Sequence, residues 1–271
     1  EFNTTSSPSR NQRLLKQLGQ LQLFCDAIAK RAELPIHLQQ QIRTVCAWPL
    51  DKAEVLEKNQ AFQDQFWVLG ISHHSIDKKL TERRVWLWSE KTNQRVLLQD
   101  FSYAGQAFEH NWLLGTSHHL EMVVYPDGIG LRGLVKQILP ASDSESTQDS
   151  IFTQLSQAAV SKDWASEKKW QAALYANALW LETSPMMLHQ VQIVHRKSLS
   201  ASAPLNQSIV AIVDQQIIEL AINDIQQWQL LTFALNQKII LFGEWNQHQL
   251  TPLLAIGSNS TWQPQPLVST H

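Results

Sequence analysis

The chain has 271 residues, of which 44% are hydrophobic and 17% charged, so it can bury the core of one large domain or of two ordinary ones. Its net charge of −2 excludes the overall basic character of a typical nucleic-acid-binding domain, although a local basic patch stays open. The longest apolar runs are strand-sized, which excludes a spanning helix of roughly 20 residues.

The first residues are polar and predict no signal peptide, so we expect a cytoplasmic protein. Because residue 1 is Glu rather than Met, we also expect either a piece of a longer protein or an engineered start.

Residues 11–58 show the spacing of helices. Pro35 predicts the start of a second helix, because proline fits the first helical turn. Trp48-Pro49 ends that helix, and Asp51 is a predicted N-cap for a third helix that runs to Leu56. The apolar residues at helical spacing in the first helix are Leu14, Leu15, Leu18, Leu21, Leu23, Phe24 and Ile28.

Cys25 and Cys46 are the only cysteines, and each lies in an apolar helical pattern. Free cysteine is among the most buried residue types, so the sequence predicts two buried free thiols. A disulfide would require an oxidising compartment, which nothing else in the sequence indicates.

From Gln65 the apolar period changes from helical to alternating, which is typical of strands rich in aromatic and β-branched residues. The polar segment 89–94 predicts a hairpin turn, and Pro126-Asp127-Gly128 predicts another turn. The predicted strands are Phe66–Ile71, Arg84–Trp88, Val96–Phe101, His119–Tyr125 and Leu131–Ile138. Such short strands favour a small antiparallel sheet or a partly closed barrel.

The second half begins with a polar linker at 141–150 and repeats the order of helices followed by strands, although no residue-level repeat supports that symmetry. Two helices are predicted at Phe152–Val160 and Trp164–Ala178, and a later one at Asp224–Leu235. The predicted strands are His189–His195, Ile209–Asp214, Ile217–Ala221, Lys238–Trp245 and Leu250–Ala255.

The sequence therefore predicts an α+β fold, with an N-terminal helical segment, an antiparallel sheet or partly closed barrel, further helices and a second small antiparallel sheet. The predicted divisions are a helical segment at 1–60, an aromatic-rich β domain at 61–140, the linker at 141–150, a helix pair with a C-terminal β segment at 151–262 and a tail at 263–271.

Two pairs of histidines, His73-His74 and His118-His119, raise the question of a metal site. Neighbouring side chains of a strand point to opposite faces, so neither pair can chelate a metal by itself. No familiar zinc-ligand spacing accompanies them, and we predict no metal site.

Arg84, Trp86 and Trp88 share one face of a predicted strand and form our candidate interaction face, together with Arg132. Such a face could stack nucleic-acid bases, or its tryptophans could be ordinary core. Arg132 interrupts an apolar run, as Glu244 does, so each is either at the surface or paired; an Arg–Glu pair that links the two halves is one arrangement.

Known catalytic motifs are missing from the sequence, which has no G-x-S-x-G nucleophile turn and no glycine-rich phosphate loop. We therefore predict no catalytic and no cofactor-binding residue, and the sequence favours a protein that is not an enzyme.

An ordered set of segments from about residue 11 to 256 resembles the region downstream of the zinc finger in bacterial SWIM zinc finger family proteins. Each segment alone is ordinary aromatic-rich sequence, and the resemblance depends on their order and spacing. The segments are Trp67-Val68-Leu69-Gly70, Arg83-Arg84-Val85-Trp86-Leu87-Trp88, Leu97-Leu98-Gln99-Asp100-Phe101, Gly115, Tyr125-Pro126, Leu131-Arg132-Gly133-Leu134-Val135, Trp228-Gln229-Leu230-Leu231, Leu241-Phe242-Gly243-Glu244-Trp245-Asn246 and Leu250-Thr251-Pro252-Leu253.

The zinc ligands of that family, a Cys-x-Cys followed by a Cys-x-His, do not occur in this sequence. If the resemblance holds, the zinc finger either lies upstream of Glu1 or has been lost, and no zinc is expected in this chain. The resemblance implies an accessory protein that occurs alongside MoxR-type AAA+ ATPases and von Willebrand A domain proteins.

We therefore expect a non-catalytic module that binds a protein partner through an aromatic-rich sheet surface. The first alternative is a nucleic-acid-associated module that uses the face with Arg84, Trp86 and Trp88. The second alternative is an enzyme with an unrecognised pocket.

Overall fold

The computed structural model describes residues 10–46, 48, 50–140, 163–178, 180–195, 209–258 and 260–264. It confirms the predicted α+β fold, with helices and two largely antiparallel sheets. The predicted linker at 141–150 and the predicted helix Phe152–Val160 lie outside the described residues, as does the tail beyond residue 264.

The N-terminal segment is helical, as predicted, and the Asp51 side chain caps its last helix by accepting from the backbone N–H of Ala53. The helices among the described residues are α1 (Arg10–Ala29), a 3₁₀ turn (Arg31–Glu33), α2 (Ile36–Val45), α3 (Lys52–Lys58), α4 (Trp164–Asn177) and α5 (Asp224–Phe233). None of them has the length and hydropathy of a membrane span.

Each predicted strand is present, and two extend well beyond their predicted bounds: β1 begins at Ala61 because it pairs with β4, and β6 begins at Ser184 because it pairs with β9. The strands are β1 (Ala61–Ser75), β2 (Leu80–Ser89), β3 (Arg95–Tyr103), β4 (Ser117–Val124), β5 (Gly133–Ile138), β6 (Ser184–His195), β7 (Ile209–Val213), β8 (Gln216–Leu220), β9 (Ile239–Trp245), β10 (Gln249–Ile256) and β11 (Thr261–Trp262).

The first sheet curls into a small barrel. Its strands lie in the order β3-β2-β1-β4-β5, and a parallel bridge between Leu97 of β3 and Arg132, just before β5, joins the two edges. Of the two predicted arrangements, an open antiparallel sheet and a partly closed barrel, the barrel is therefore the correct one. Its interior contains Phe66, Val68, Val85, Leu87, Val96, Leu98, Trp112, Leu120 and Met122.

The second sheet also closes, because β9 pairs with both β6 and β10. Its strand order is β11-β10-β8-β7-β6-β9, and β8 runs parallel to β10 where Leu220 lies beside Leu250. Its interior contains Met186, Leu188, Val191, Ile193, Ile209, Ala211, Val213, Ile218, Leu230, Ala234, Ile239, Leu241, Leu250, Ala255 and Trp262.

The two barrels share one topology. Strands 1 to 5 are β1–β5 in the first barrel and β6–β10 in the second. In both barrels neighbouring strands follow the closed order 1-2-3-5-4-1, and strands 3 and 5 are parallel. This is the Greek-key order of a five-stranded OB-type barrel. The second barrel carries α5 between its third and fourth strands, where the first has the loop 104–116. The twofold order noticed in the sequence is thus a repeat of topology.

A third apolar cluster lies between the barrels and joins them. Gly70 of β1 marks a close approach of the two barrels, because a Cβ atom there would lie 2.8 Å from the Leu253 side chain of β10. The indole of Trp86 meets the ring of Phe242 edge-on, with 6.5 Å between their centroids. The buried members of this cluster are Trp67, Leu69, Trp86, Trp88, Leu97, Leu131, Leu174, Met187, Phe242, Leu253, Leu254 and Ile256.

A buried ion pair connects the first barrel to α4 and β6. Arg95 of β3 forms two parallel hydrogen bonds with Glu167 of α4, Nη1 to Oε1 at 2.7 Å and Nη2 to Oε2 at 2.8 Å. Arg95 Nη1 also donates to the Pro185 carbonyl, and the guanidinium lies 4.4 Å from the centre of the Trp170 ring. Glu167 Oε1 accepts a further bond from the Met187 backbone N–H. The charges are therefore paired and hydrogen-bonded, as burial requires.

Both cysteines are free, but both are exposed, so the predicted burial of the two thiols is wrong. Cys25 lies on the apolar stripe of α1, and that stripe faces outward instead of packing on a barrel. Cys46 follows α2, whose buried residues are Gln41 and Ile42.

We expect Arg95→Met to reduce the free energy of unfolding by about 3–5 kcal/mol, because it leaves the Glu167 carboxylate buried without its partner charge. Urea denaturation followed by tryptophan fluorescence measures this. The double variant Arg95→Met/Glu167→Leu removes both charges and should recover much of the loss. A double variant that is no more stable than the single one would contradict this account.

Candidate interaction site

The candidate face is turned inward. Arg84, Trp86 and Trp88 do share one face of β2, but Trp86 is 0% exposed and Trp88 is 2% exposed. The second barrel covers this face, so the prediction that it is a surface for a partner is wrong. For the same reason its rings cannot stack nucleic-acid bases.

Glu244 of β9 completes this face from the second barrel. Its Oε1 accepts a 2.7 Å hydrogen bond from Trp86 Nε1 and lies 3.2 Å from Arg84 Nε. Arg84 Nη2 also donates to Thr183 Oγ1 at 2.9 Å. The two halves are therefore joined by an Arg–Glu pair, and the arginine is Arg84.

Arg132 lies elsewhere, at the point where the first barrel closes. Its guanidinium is 4.3 Å from the centre of the Tyr125 ring. Burial raises the pKa of the Tyr125 phenol, and the Arg132 charge lowers it in part. The preceding turn forms as predicted, with Gly128 at a φ of +72° and Asp127 Oδ1 accepting from the Ile129 backbone N–H.

The two histidine pairs lie on different strands, His73-His74 on β1 and His118-His119 on β4, and they are far apart along the sheet. His118 of β4 pairs with Phe66 of β1, whereas His73 lies seven residues beyond Phe66 on β1 and pairs with Arg83 of β2. Seven residues of extended strand span about 23 Å. His74 Nε2 lies 4.0 Å from Glu244 Oε2, and the His118 ring meets the Trp112 indole edge-on. Within the described ranges, no three His, Cys, Asp or Glu side chains are grouped to hold a metal ion.

A cleft of about 410 Å³ lies between the two barrels, within the size range of small-ligand sites. The buried indole N–H of Trp112, one of its lining groups, has no hydrogen-bond partner among the residues that the structure describes. The described lining is Ile71, Trp112, Leu113, Leu114, Thr116, Leu253, Gln263 and Pro264. None of these side chains titrates near neutral pH, so the described lining of the cleft offers no general acid or base.

An exposed apolar stripe runs along α5 and the turn that follows it, and we name Ile225, Trp228 and Leu235 the α5 stripe. Their exposed fractions are 67%, 65% and 65%. The opposite side of the helix is anchored in the second barrel by Leu230 and Ala234. The sequence alone did not lead us to this stripe. The pattern that would have indicated it is a helix with apolar residues on both sides, because a surface helix is normally apolar on one side only.

The N-terminus of α5 is fixed by a capping box. Asn223 Oδ1 accepts from the Gln226 backbone N–H, and the Gln226 side chain accepts from the Asn223 backbone N–H. Because the cap and the packed face both hold the helix, the α5 stripe is presented on a rigid element. It forms the candidate interaction site.

Comparisons of the chain with protein-family models, with curated proteins and with solved structures found no match.

We expect Trp86→Ala and Trp88→Ala each to lower the free energy of unfolding by about 3–5 kcal/mol, because each empties a large buried volume. Chemical denaturation measures the change, with Trp48→Ala as the control for an exposed tryptophan. Variants as stable as the parent protein would show that these rings are not core.

We expect acid to destabilise the protein partly through His118. Burial lowers its pKa below the ordinary value of 6.5, so the unfolded chain takes up the proton first as the pH falls. The stability that the folded protein gains from keeping His118 neutral is present above pH 6.5. It is lost as the pH falls toward the pKa of His118 in the folded protein. In urea denaturation at pH 7.5 and 5.0, His118→Gln should lose less stability than the parent protein. His248→Gln, at an exposed position, should behave as the parent does.

Proposed function

We propose that this chain is a non-catalytic protein-interaction module that binds its partner through the α5 stripe. The observation that carries the proposal is the exposure of Trp228 between Ile225 and Leu235 on a helix whose other face is anchored. Tryptophan is enriched among the residues that dominate binding energy at protein interfaces.

The surroundings of the stripe also suit a protein partner. The polar residues between Ile225 and Leu230 are the glutamines Gln226, Gln227 and Gln229, which carry no charge. Charged residues are depleted at the core of protein interfaces, whereas nucleic-acid sites are strongly basic. The one charged residue from 224 to 235 is the acidic Asp224, and an apolar stripe without a basic residue beside it in that segment favours a protein over a nucleic acid.

The proposed partner class comes from the resemblance in the sequence. Trp228-Gln229-Leu230-Leu231 is one of the segments that resemble SWIM zinc finger family proteins, and it includes the central residue of the α5 stripe. We therefore propose a bacterial, cytoplasmic accessory protein whose partner is a MoxR-type AAA+ ATPase or a von Willebrand A domain protein.

The alternatives have less support. The face with Arg84, Trp86 and Trp88, on which the nucleic-acid hypothesis depended, is covered by the second barrel. Among the residues that the structure describes, those lining the cleft between the barrels include none with which an enzyme would transfer protons.

The test is binding of the purified chain to a purified MoxR-type ATPase and to a purified von Willebrand A domain protein from the same genome. We expect Trp228→Ala to weaken binding by about tenfold or more, because it removes the largest side chain of the stripe. Biolayer interferometry gives the dissociation constants. Trp48→Ala is the matched control, since Trp48 is equally exposed but lies next to α2.

Two results would contradict the proposal: equal loss of binding in both variants, or no binding to either protein. A salt titration separates the nucleic-acid alternative, because binding to phosphates weakens steeply with salt and an apolar interface does not.

A further inference from the structure

A second apolar surface lies on α1, separate from the α5 stripe. Its side chains recur at alternating steps of four and three residues, which is the spacing of a coiled-coil seam. All of them are exposed: Leu14 at 53%, Leu18 at 55%, Leu21 at 58%, Ile28 at 45%, and Cys25 between the last two. We name these five residues the α1 seam.

The body of the protein holds α1 from another side. The Phe24 ring meets the Trp180 indole edge-on, with 5.9 Å between the ring centroids. Phe24 is half-buried, whereas its neighbour Cys25 is exposed. The contact thus lies beside the seam, and the seam residues themselves stay exposed, so the seam is open to a second helix.

The residues that flank the seam indicate which helix fits it. With Leu18 at position a and Leu21 at position d of a heptad, the e and g positions between Leu14 and Ile28 are Leu15, Gln17, Gln22 and Phe24. Charges at e and g normally select the partner and reject like-charged copies. Here those positions are uncharged, so a second α1 meets no like charge along the seam, and a charged partner helix finds no complementary charge.

We propose that two copies of this chain pair through their α1 seams. The pairing is isologous, since the same residues are buried on both copies. The seam spans about 21 Å along the helix, which is short for a stable interface, so the dimer is weak and depends on concentration. This pairing does not depend on the proposed function, because the α5 stripe contributes nothing to it.

The test is sedimentation equilibrium of the full chain over about 1–200 µM, a range that spans weak association. We expect the average mass to rise with concentration from 31.0 kDa toward twice that value. Leu21→Glu places a charge in the seam and should leave a monomer over the whole range. Glutamate is nearly as good a helix former as leucine, so α1 itself is retained, which circular dichroism checks.

Leu23→Glu is the matched control, because Leu23 is also exposed on α1 but lies at position f, outside the seam. It should leave the dimer intact, and so should Trp228→Ala. A parent protein that stays at 31.0 kDa at the highest concentration would overturn the proposal. So would equal dissociation in Leu21→Glu and Leu23→Glu, or a dimer that is lost only in Trp228→Ala.

Discussion

The buried pair of Arg95 and Glu167 is the interaction on which the arrangement of the two barrels depends. A charge removed from water is costly unless its partner and its hydrogen bonds have defined geometry. Here β3, α4 and β6 must all be in place to satisfy both groups, because Arg95 also donates to Pro185 and Glu167 also accepts from Met187. A different docking of the barrels would leave both charges unsatisfied. The pair therefore specifies one arrangement.

That arrangement explains most of the aromatic content at the junction. Once the barrels are docked, Trp86 donates to Glu244 across the boundary, and Gly70 leaves room for the Leu253 side chain, which would lie 2.8 Å from a Cβ atom at that position. The β2 face is thus an internal surface, although its sequence has the aromatic and basic composition of a binding face. Composition alone cannot separate the two cases, because a junction between domains and an interface between chains use the same residues.

The strands and helices could be predicted from the sequence because their signals are local. The alternation around Trp86 identified β2, and Asp51 identified the start of α3, without reference to the rest of the chain. Closure of the first sheet was one of two alternatives that the sequence left open. The packing of one barrel on the other could not be predicted, because it depends on residues far apart, such as Arg95 and Glu167. Cys25 illustrates the limit: periodicity shows which residues share a helix face, but not what covers that face.

Because the two barrels share one topology, the same face can be compared in each of them. OB-type barrels commonly bind ligands on the face of strands 2 and 3. In the first barrel the corresponding face includes Trp86 and Trp88, and the second barrel covers it. In the second barrel these strands are β7 and β8, which contain no basic residue and expose Ile217 of β8. Large exposed apolar side chains do lie on α1 and on α5 with the turn that follows it, and these are the helices on which the two proposals rest.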